Sequence, residues 1–343
     1  MTRDGVDPVE VAHHQRRAHP RQYSVERLFG DVRRAMPDDI RVHLEMCRFK
    51  SKGILNRLRD ALAARRVRTG IHHVCGDVHY LAWFLPRDRT ILTVLDCVAL
   101  ERHSGLKRWV FWFFWFWWPL QRATCVTVIS TFSGESLRRW VDYPAQRIHV
   151  IPPTLSDEFQ RSSWKPGARR PRLLQVGTGP NKNLGRVVEA LAGIEATLSI
   201  VGTPDEVLRL RMDELGVDYE VHSHLSDEAL VEEYRKADLV VFASTYEGFG
   251  LPIIEAQATG RPVVAGNVCS MPEAAGDAAC MVDPFDVADI RRGILRILED
   301  PEYARLLVER GLENAERFRA PRIAEAYAEV YREVARAGAG AKG

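Results

Sequence analysis

Short runs of β-branched and aliphatic residues alternate along the chain with segments whose apolar residues recur at helical spacing. In the second half the runs are RLLQVG (172–177), TLSIVG (197–202), YEVHS (219–223), DLVVFAS (238–244), RPVVAG (261–266) and AACMV (278–282). Between them, LGRVVEALAGI and SDEALVEEYRKA repeat apolar residues with a helical period. Strand–helix alternation at this rhythm predicts a parallel sheet with helices on both faces. The first half alternates less cleanly. Its strands are predicted at PVEVAH (8–13), IRVHLEM (40–46), TGIHHVC (69–75), TILTVLD (90–96), ATCVTVI (123–129) and RIHVI (147–151). YSVERLFGDVRRAM, ILNRLRDALAARR, an aromatic run and SGESLRRWV supply helices between them. PPTLSDEFQRSSWKPGARRP (152–171), rich in Pro, Ser and charge, reads as a linker between two α/β domains. These expectations put the first domain at 1–160, the second at 161–318 and a disordered tail at 337–343.

Length and composition agree with that plan. A chain of 343 residues accommodates two domains of ordinary size, and 46% apolar with 27% charged residues is a globular balance. A net charge of +2 gives no sign of a nucleic-acid partner. The opening MTRDGVDPVE lacks the apolar stretch of a signal peptide, so the protein is expected to be cytoplasmic. The cysteines are scattered without a CxxC pair, and no metal or redox site is expected from them.

FWFFWFWWPL (111–120), preceded by Trp109 and Val110 and flanked by Lys107, Arg108 and Arg122, stands apart from this background. Its uncharged stretch would span about 18 Å as a helix, against a hydrocarbon core of roughly 30 Å, so it cannot cross a bilayer. Aromatic rings on every side also exceed what one core-facing stripe needs. Three uses stay open: contact of residues 109–120 with a membrane surface, a buried core or dimer seam, and an apolar acceptor pocket. Tryptophan with flanking cations favours the first, at the inner face of the cell membrane.

The segment DLVVFASTYEGFGLPIIEAQATGRPVVAG carries the densest chemistry. A buried strand leads into a loop with Gly248 and Gly250; Pro252 suits the start of a helix, and Gly260 and Pro262 close it. Glycines ahead of a helix let backbone N–H groups approach a ligand, and the helix N-terminus suits an anion such as a diphosphate. Glu247 lies in the loop and Glu255 in the expected first turn of the helix. Either could accept hydrogen bonds from a sugar diol, although Glu255 could equally serve only the helix dipole.

Glu247-Gly-Phe-Gly-Leu-Pro-Ile-Ile-Glu255 resembles the E-x7-E motif of retaining GT-B glycosyltransferases of family four. HSHLSDEALVEEYRKADLVVFASTYEGFGLPIIEAQATGRPVV and CSMPEAAGDAACMVDP extend the likeness over about 172–318. The resemblance implies two Rossmann-like domains facing each other across a cleft, with a helix over 319–336 returning to the first domain. It assigns Glu255 to the ribose of a nucleotide-sugar donor and Glu247 to the transferred sugar. The backbone of Gly248, Phe249, Gly250 and Leu251 would support the diphosphate. VGTGPNKNLGRVVEAL matches the first strand–loop–helix of that domain and brings in Lys182 at the donor phosphates, with Gly177, Thr178 and Asn183 beside it. Thr178 stands where many relatives carry an arginine. The GTG at 177–179 is no nicotinamide dinucleotide fingerprint, because its third glycine position is Lys182.

The first domain would hold a saccharide or lipid-linked acceptor, and it resembles the family less. HHQRRAHPRQYS replaces the glycine-rich loop after the first strand, and Leu95 replaces a histidine before Asp96. Asp96 and His79, each near a strand end, are the candidate residues there. No Asp-x-Asp motif is present, and neither cofactor nor metal is expected. The reaction implied is retaining hexosyl transfer, with mannose a candidate sugar, in cell-surface polysaccharide or glycolipid synthesis. The rival is a non-catalytic relative that acts as a membrane-surface scaffold or partner subunit.

Overall fold

A computed structural model describes residues 7–17 and 24–340. It divides into two compact units, Met1–Thr154 with Ala320–Gly343, and Leu155–Arg319. Each is built on a six-stranded parallel sheet.

The first sheet consists of β1 (Val9–Gln15), β2 (Ile40–Met46), β3 (Ile71–Val74), β4 (Thr90–Val94), β5 (Cys125–Val128) and β6 (Ile148–Val150), in the order β2-β1-β3-β4-β5-β6. Its centre is unusually polar. His13, His73, Thr93 and Thr127 are buried on one face and form a continuous chain of hydrogen bonds. The Tyr331 hydroxyl sits 2.7 Å from both His13 Nε2 and His73 Nδ1. His73 Nε2 bonds Thr93 Oγ1 at 2.7 Å, and Thr93 bonds Thr127 at 2.7 Å. Side chains alternate along a strand, so His14 and His72 meet on the opposite face, 3.0 Å apart. Burial disfavours the charged imidazole, holding His14 and His73 down at about 3 and His72 at about 4. It also pulls His13 well below its ordinary value. His13, His73 and Cys75 bring their donor atoms within 4.8 Å of one another, with the Tyr331 hydroxyl already bonded to both rings.

Tyr331 comes from the Ala320–Gly340 helix, whose Ile323, Ala324, Tyr327 and Ala328 are buried with Phe29 and Val32 in this unit's core. The helix continues to Gly340, four residues into the stretch expected to be a disordered tail; 341–343 lie outside the described residues. Residues 18–23, part of the segment that replaces the glycine-rich loop, lie outside them as well.

The second sheet consists of β7 (Arg172–Val176), β8 (Thr197–Val201), β9 (Asp218–His222), β10 (Leu239–Phe242), β11 (Val263–Gly266) and β12 (Cys280–Val282), in the order β12-β11-β10-β7-β8-β9. Its central strands are mainly aliphatic, and Leu173, Leu174, Val240, Val241, Val263 and Val264 have no exposed surface. Covered on both faces, such strands need no polar alternation. The chain order reverses between β7 and β10, so the loops after these two strands flank the crevice where parallel sheets receive ligands.

The stretch expected to be a linker folds against the second unit from Leu155 onward. Leu155 bridges Arg319, Phe159 packs edge-on against Tyr234 at 5.3 Å, and Trp164 Nε1 donates to the Asp238 carbonyl. Leu155 and Phe159, both almost fully buried, outweigh the Pro and Ser content that suggested a free connection.

The aromatic run is helical but interrupted: Gly105–Trp112 is α-helix, Phe113–Trp117 a π-helical turn, and Trp118–Gln121 α-helix again. Phe116 is buried and most other rings are half-buried, whereas Leu106, Trp109, Val110 and Trp117 are exposed. Among the described residues no helix is long and apolar enough to cross a membrane.

Candidate functional site

The loop after β7 and the loop after β10 are tied together by one asparagine. The Asn181 carbonyl accepts from the Thr245 N–H at 2.8 Å, and its amide donates to the Tyr246 carbonyl and to Glu247 Oε1 at 3.1 and 3.2 Å. Lys182 Nζ donates to the same Glu247 oxygen at 2.7 Å and lies 4.6 Å from the centre of the Phe242 ring. The lysine stem lies across Gly177, whose φ is +92°; a Cβ there would come within 3.0 Å of the stem. Glycine therefore permits both the turn and the path of the lysine.

Gly250, at φ +118°, turns the chain into the Leu251–Ala258 helix, and Pro252 occupies the first turn, where no N–H is needed. Ser270, fully buried, reaches the Glu247 and Phe249 carbonyls at 2.8 Å each. The Phe249 side chain is buried against Phe318. The N–H groups of Phe249, Gly250 and Leu251 have no partner among the described residues. A loop whose carbonyls are occupied and whose N–H groups are free beside a lysine suits a diphosphate.

Glu255 is the fifth residue of this helix, not a member of its first turn as the sequence suggested. The macrodipole weakens beyond the first turn, so a pure dipole role loses its basis. Its Oε2 accepts instead from the Tyr234 hydroxyl at 2.6 Å. Tyr234 is fully buried, and burial together with this carboxylate pushes its hydroxyl well above the ordinary value, so it donates.

The structure thus gathers Lys182, Glu247 and the 248–251 loop at one end of the second sheet, with Glu255 on the helix that follows. Thr178 is beside them, its hydroxyl donating to the Thr203 carbonyl at 3.1 Å. Asn183 acts within the protein: in left-handed conformation, it donates to the Ala243 and Pro284 carbonyls and accepts from Arg186. Asn181, Tyr234 and Ser270 were not singled out in the sequence. Asn181 had the only legible signal, a polar residue in the turn beside Lys182.

In the first unit, His79 is buried, not open at a strand end. Its Nδ1 is 2.7 Å from the Trp115 carbonyl, and the ring meets Phe116 edge-on, tying it to the π-helical turn. Burial lowers its proton affinity, with the Trp115 carbonyl and Asp77 and Asp96 acting in the opposite sense. Asp96 is exposed just beyond β4 and caps the next turn by accepting from the Val98 N–H at 3.0 Å. The thiols of Cys47, Cys97 and Cys125 are pushed by burial up to about 12, which makes them inert core groups.

Two parallel Rossmann-like units, one carrying a diphosphate-type loop between two glutamates, define a GT-B glycosyltransferase. The chain belongs to the glycosyl transferases group 1 family, whose model matches residues 156–314. It is 30% identical over 287 residues to O-antigen chain mannosyltransferase B of Escherichia coli, covering 77% of this chain and 74% of that one. It is 31% identical over 228 residues to MMP alpha-(1->4)-mannosyltransferase of Mycolicibacterium hassiacum, covering 62% of this chain and 55% of that protein. Among solved structures, Anabaena Alr3699/HepE in complex with UDP-glucose superposes with a TM-score of 0.77 at 16% identity, covering 94% of this chain and 100% of that one. That likeness shows the fold.

Proposed function

We propose that this glycosyltransferase takes a hexosyl group, with mannose the leading candidate, from a nucleotide-sugar donor and transfers it with retention of configuration. The acceptor is a saccharide or a lipid-linked saccharide of a cell-surface polysaccharide or glycolipid, met at the inner face of the membrane. The observation that carries this reading is the Lys182–Glu247–Asn181 cluster beside the free N–H groups of Phe249, Gly250 and Leu251. Lys182 would exchange its partner from Glu247 to the donor diphosphate and stabilise the charge that grows on it as the sugar departs. Glu247, released, would accept from hydroxyls of that sugar. Glu255, oriented by Tyr234, would hold the ribose diol. No side chain need act as nucleophile; positioning and electrostatic support carry the step. The mannosyltransferase names of the two relatives support the choice of sugar. The exposed Leu106, Trp109 and Val110 support membrane contact through residues 109–120. His79 and Asp96 remain the acceptor-side candidates, Asp96 as the accessible one.

Calorimetric titration of GDP, UDP and ADP and their hexose conjugates tests the donor site. One nucleotide family should bind, and Glu255→Ala should weaken it by roughly 1–3 kcal/mol as the ribose loses its acceptor. Unchanged affinity in the folded variant would overturn the ribose assignment.

A further inference from the structure

The aromatic helix does more than expose rings. With the Ile54–Arg65 helix and the short His79–Phe84 turn it encloses an apolar groove of about 740 Å³. Leu58, Val110, Phe111 and Phe114 line its length, and Ile54 and Leu106, 71% and 76% exposed, stand at its open end. From Leu106 to Trp118 the helix covers about 18 Å at 1.5 Å per residue. That is close to one leaflet of a hydrocarbon core roughly 30 Å thick.

At the other end Trp83, Phe84 and Trp118 form a wall shared with a second cavity, of about 500 Å³. Arg65, Arg89, Arg122 and His72 line this one, and among the described residues no carboxylate does. It lies at the amino ends of β3, β4 and β5, because His72 is the second residue of β3 and Arg89 and Arg122 precede the next two strands. The Nε atoms of Arg89 and Arg122 are buried without a hydrogen-bond partner. Arg122 uses another nitrogen on the Leu85 carbonyl, whereas Arg89 has neither hydrogen bond nor ion pair among the described residues. Half-buried guanidinium groups with no counter-charge are costly, and the group that best satisfies several of them is a phosphate.

We propose that the three-arginine cavity binds the phosphate of an anionic bilayer lipid, one of whose hydrocarbon chains lies in the adjoining groove. The proposal rests on the membrane-contact reading and deepens it by naming a lipid class and a site. The cavity is at the amino ends of the strands, opposite the carboxyl end where Asp96 stands, so this lipid anchors the protein and is not the molecule that receives sugar.

Co-sedimentation with phosphatidylcholine vesicles, with and without phosphatidylglycerol, tests it on the full chain. Arg89→Gln removes no side-chain hydrogen bond or ion pair among the described residues, and Arg139→Gln removes an exposed charge from the same unit as a control. Arg89→Gln should lower binding to phosphatidylglycerol vesicles at least about tenfold, as loss of a charged hydrogen bond predicts. Arg139→Gln should lower it by no more than about fivefold, the effect of one general surface charge. Arg65→Gln should follow Arg89→Gln. Equal losses for Arg89→Gln and Arg139→Gln would overturn the site while leaving membrane contact standing. Failure of the unmodified protein to bind either vesicle would overturn both. Thermal stabilisation by soluble glycerol phosphate equal to that by the vesicles would assign the cavity to a free phosphate and overturn the lipid.

Discussion

In the Leu155–Arg319 unit the central strands are mainly aliphatic, with Gln175 and Ser199 their buried polar members, and Lys182 and Glu247 stand in loops beyond their carboxyl ends. In the other unit the equivalent strands carry His13, His73, Thr93 and Thr127 through the middle of the sheet, bonded to one another and to Tyr331. The first arrangement keeps the candidate site apart from the core: the sheet is a mainly apolar platform, and the loops beyond it carry Lys182 and Glu247. The second makes the fold depend on histidines that must stay neutral and fully bonded. It also leaves the aromatic helix and three arginines at the surface of that unit. One plan of strands and helices therefore supports the proposed donor site, which the sequence announces, and a first unit specialised in a way that the family pattern does not announce.

Acid should separate the two most strongly. A histidine whose folded value is depressed to about 3 against 6.5 when unfolded binds its proton more readily in the unfolded chain. Stability therefore falls with pH from about 6.5 down to about 3. At pH 4.5, His14 and His73 should each have removed about 3 kcal/mol from their unit. The Leu155–Arg319 unit contains only the half-buried His222 and the exposed His224 and has no such dependence on core histidines. Calorimetry at pH 7 and pH 5, with nucleotide added to mark the donor unit, should show the transition that does not respond to nucleotide moving down first. Parallel movement of both transitions would break the comparison.

Lys182→Ala comes next in size. If transition-state support comes from the donor unit, transfer should fall about 100- to 1,000-fold, as when one preorganised donor is removed from a developing anion. Affinity for a nucleoside without phosphates should not change. A loss below tenfold in a steady-state assay would move the catalytic contribution to the acceptor side and reverse the contrast drawn above.

Legibility in the sequence followed the same division. Strands β7 to β12 could be read to within a residue or two because most are short aliphatic runs between segments of helical period. Glu247, Glu255 and Lys182 were legible singly, through glycine spacing and resemblance. Their geometry was not: Asn181 joins loops some 65 residues apart, and Ser270 reaches the loop from yet another segment. In the first unit β1 runs through His14 and Gln15, past the predicted end at His13, because neutral bonded histidines can occupy a core that a polarity pattern would close. The π-helical turn at Phe113–Trp117 has no composition signal either; a run aromatic on every side carries no phase. Leu155 and Phe159 were hidden inside a stretch whose average composition is that of a linker.

Tyr234→Phe is the smallest and most discriminating change. The ring stays, and with it the edge-on contact to Phe159 at 5.3 Å, so the apolar platform is preserved. Only the hydroxyl is lost, 2.6 Å from Glu255 Oε2, and with it the bond that orients this oxygen. A hydrogen bond to a carboxylate is worth about 1.5–3 kcal/mol, of which the ribose contact feels only the part that orients Glu255, so nucleoside diphosphate affinity should fall roughly two- to tenfold. Inorganic pyrophosphate, which has no ribose, should bind the variant as well as the parent, through Lys182 and the 248–251 loop. Equal losses for both ligands would mean that Tyr234 acts by holding the sheet and its helices together. Tyr234 would then join Arg261 and the Gln257–Asn314 pair, the buried polar groups that already hold this unit together, and the separation of platform from site would not hold at Glu255.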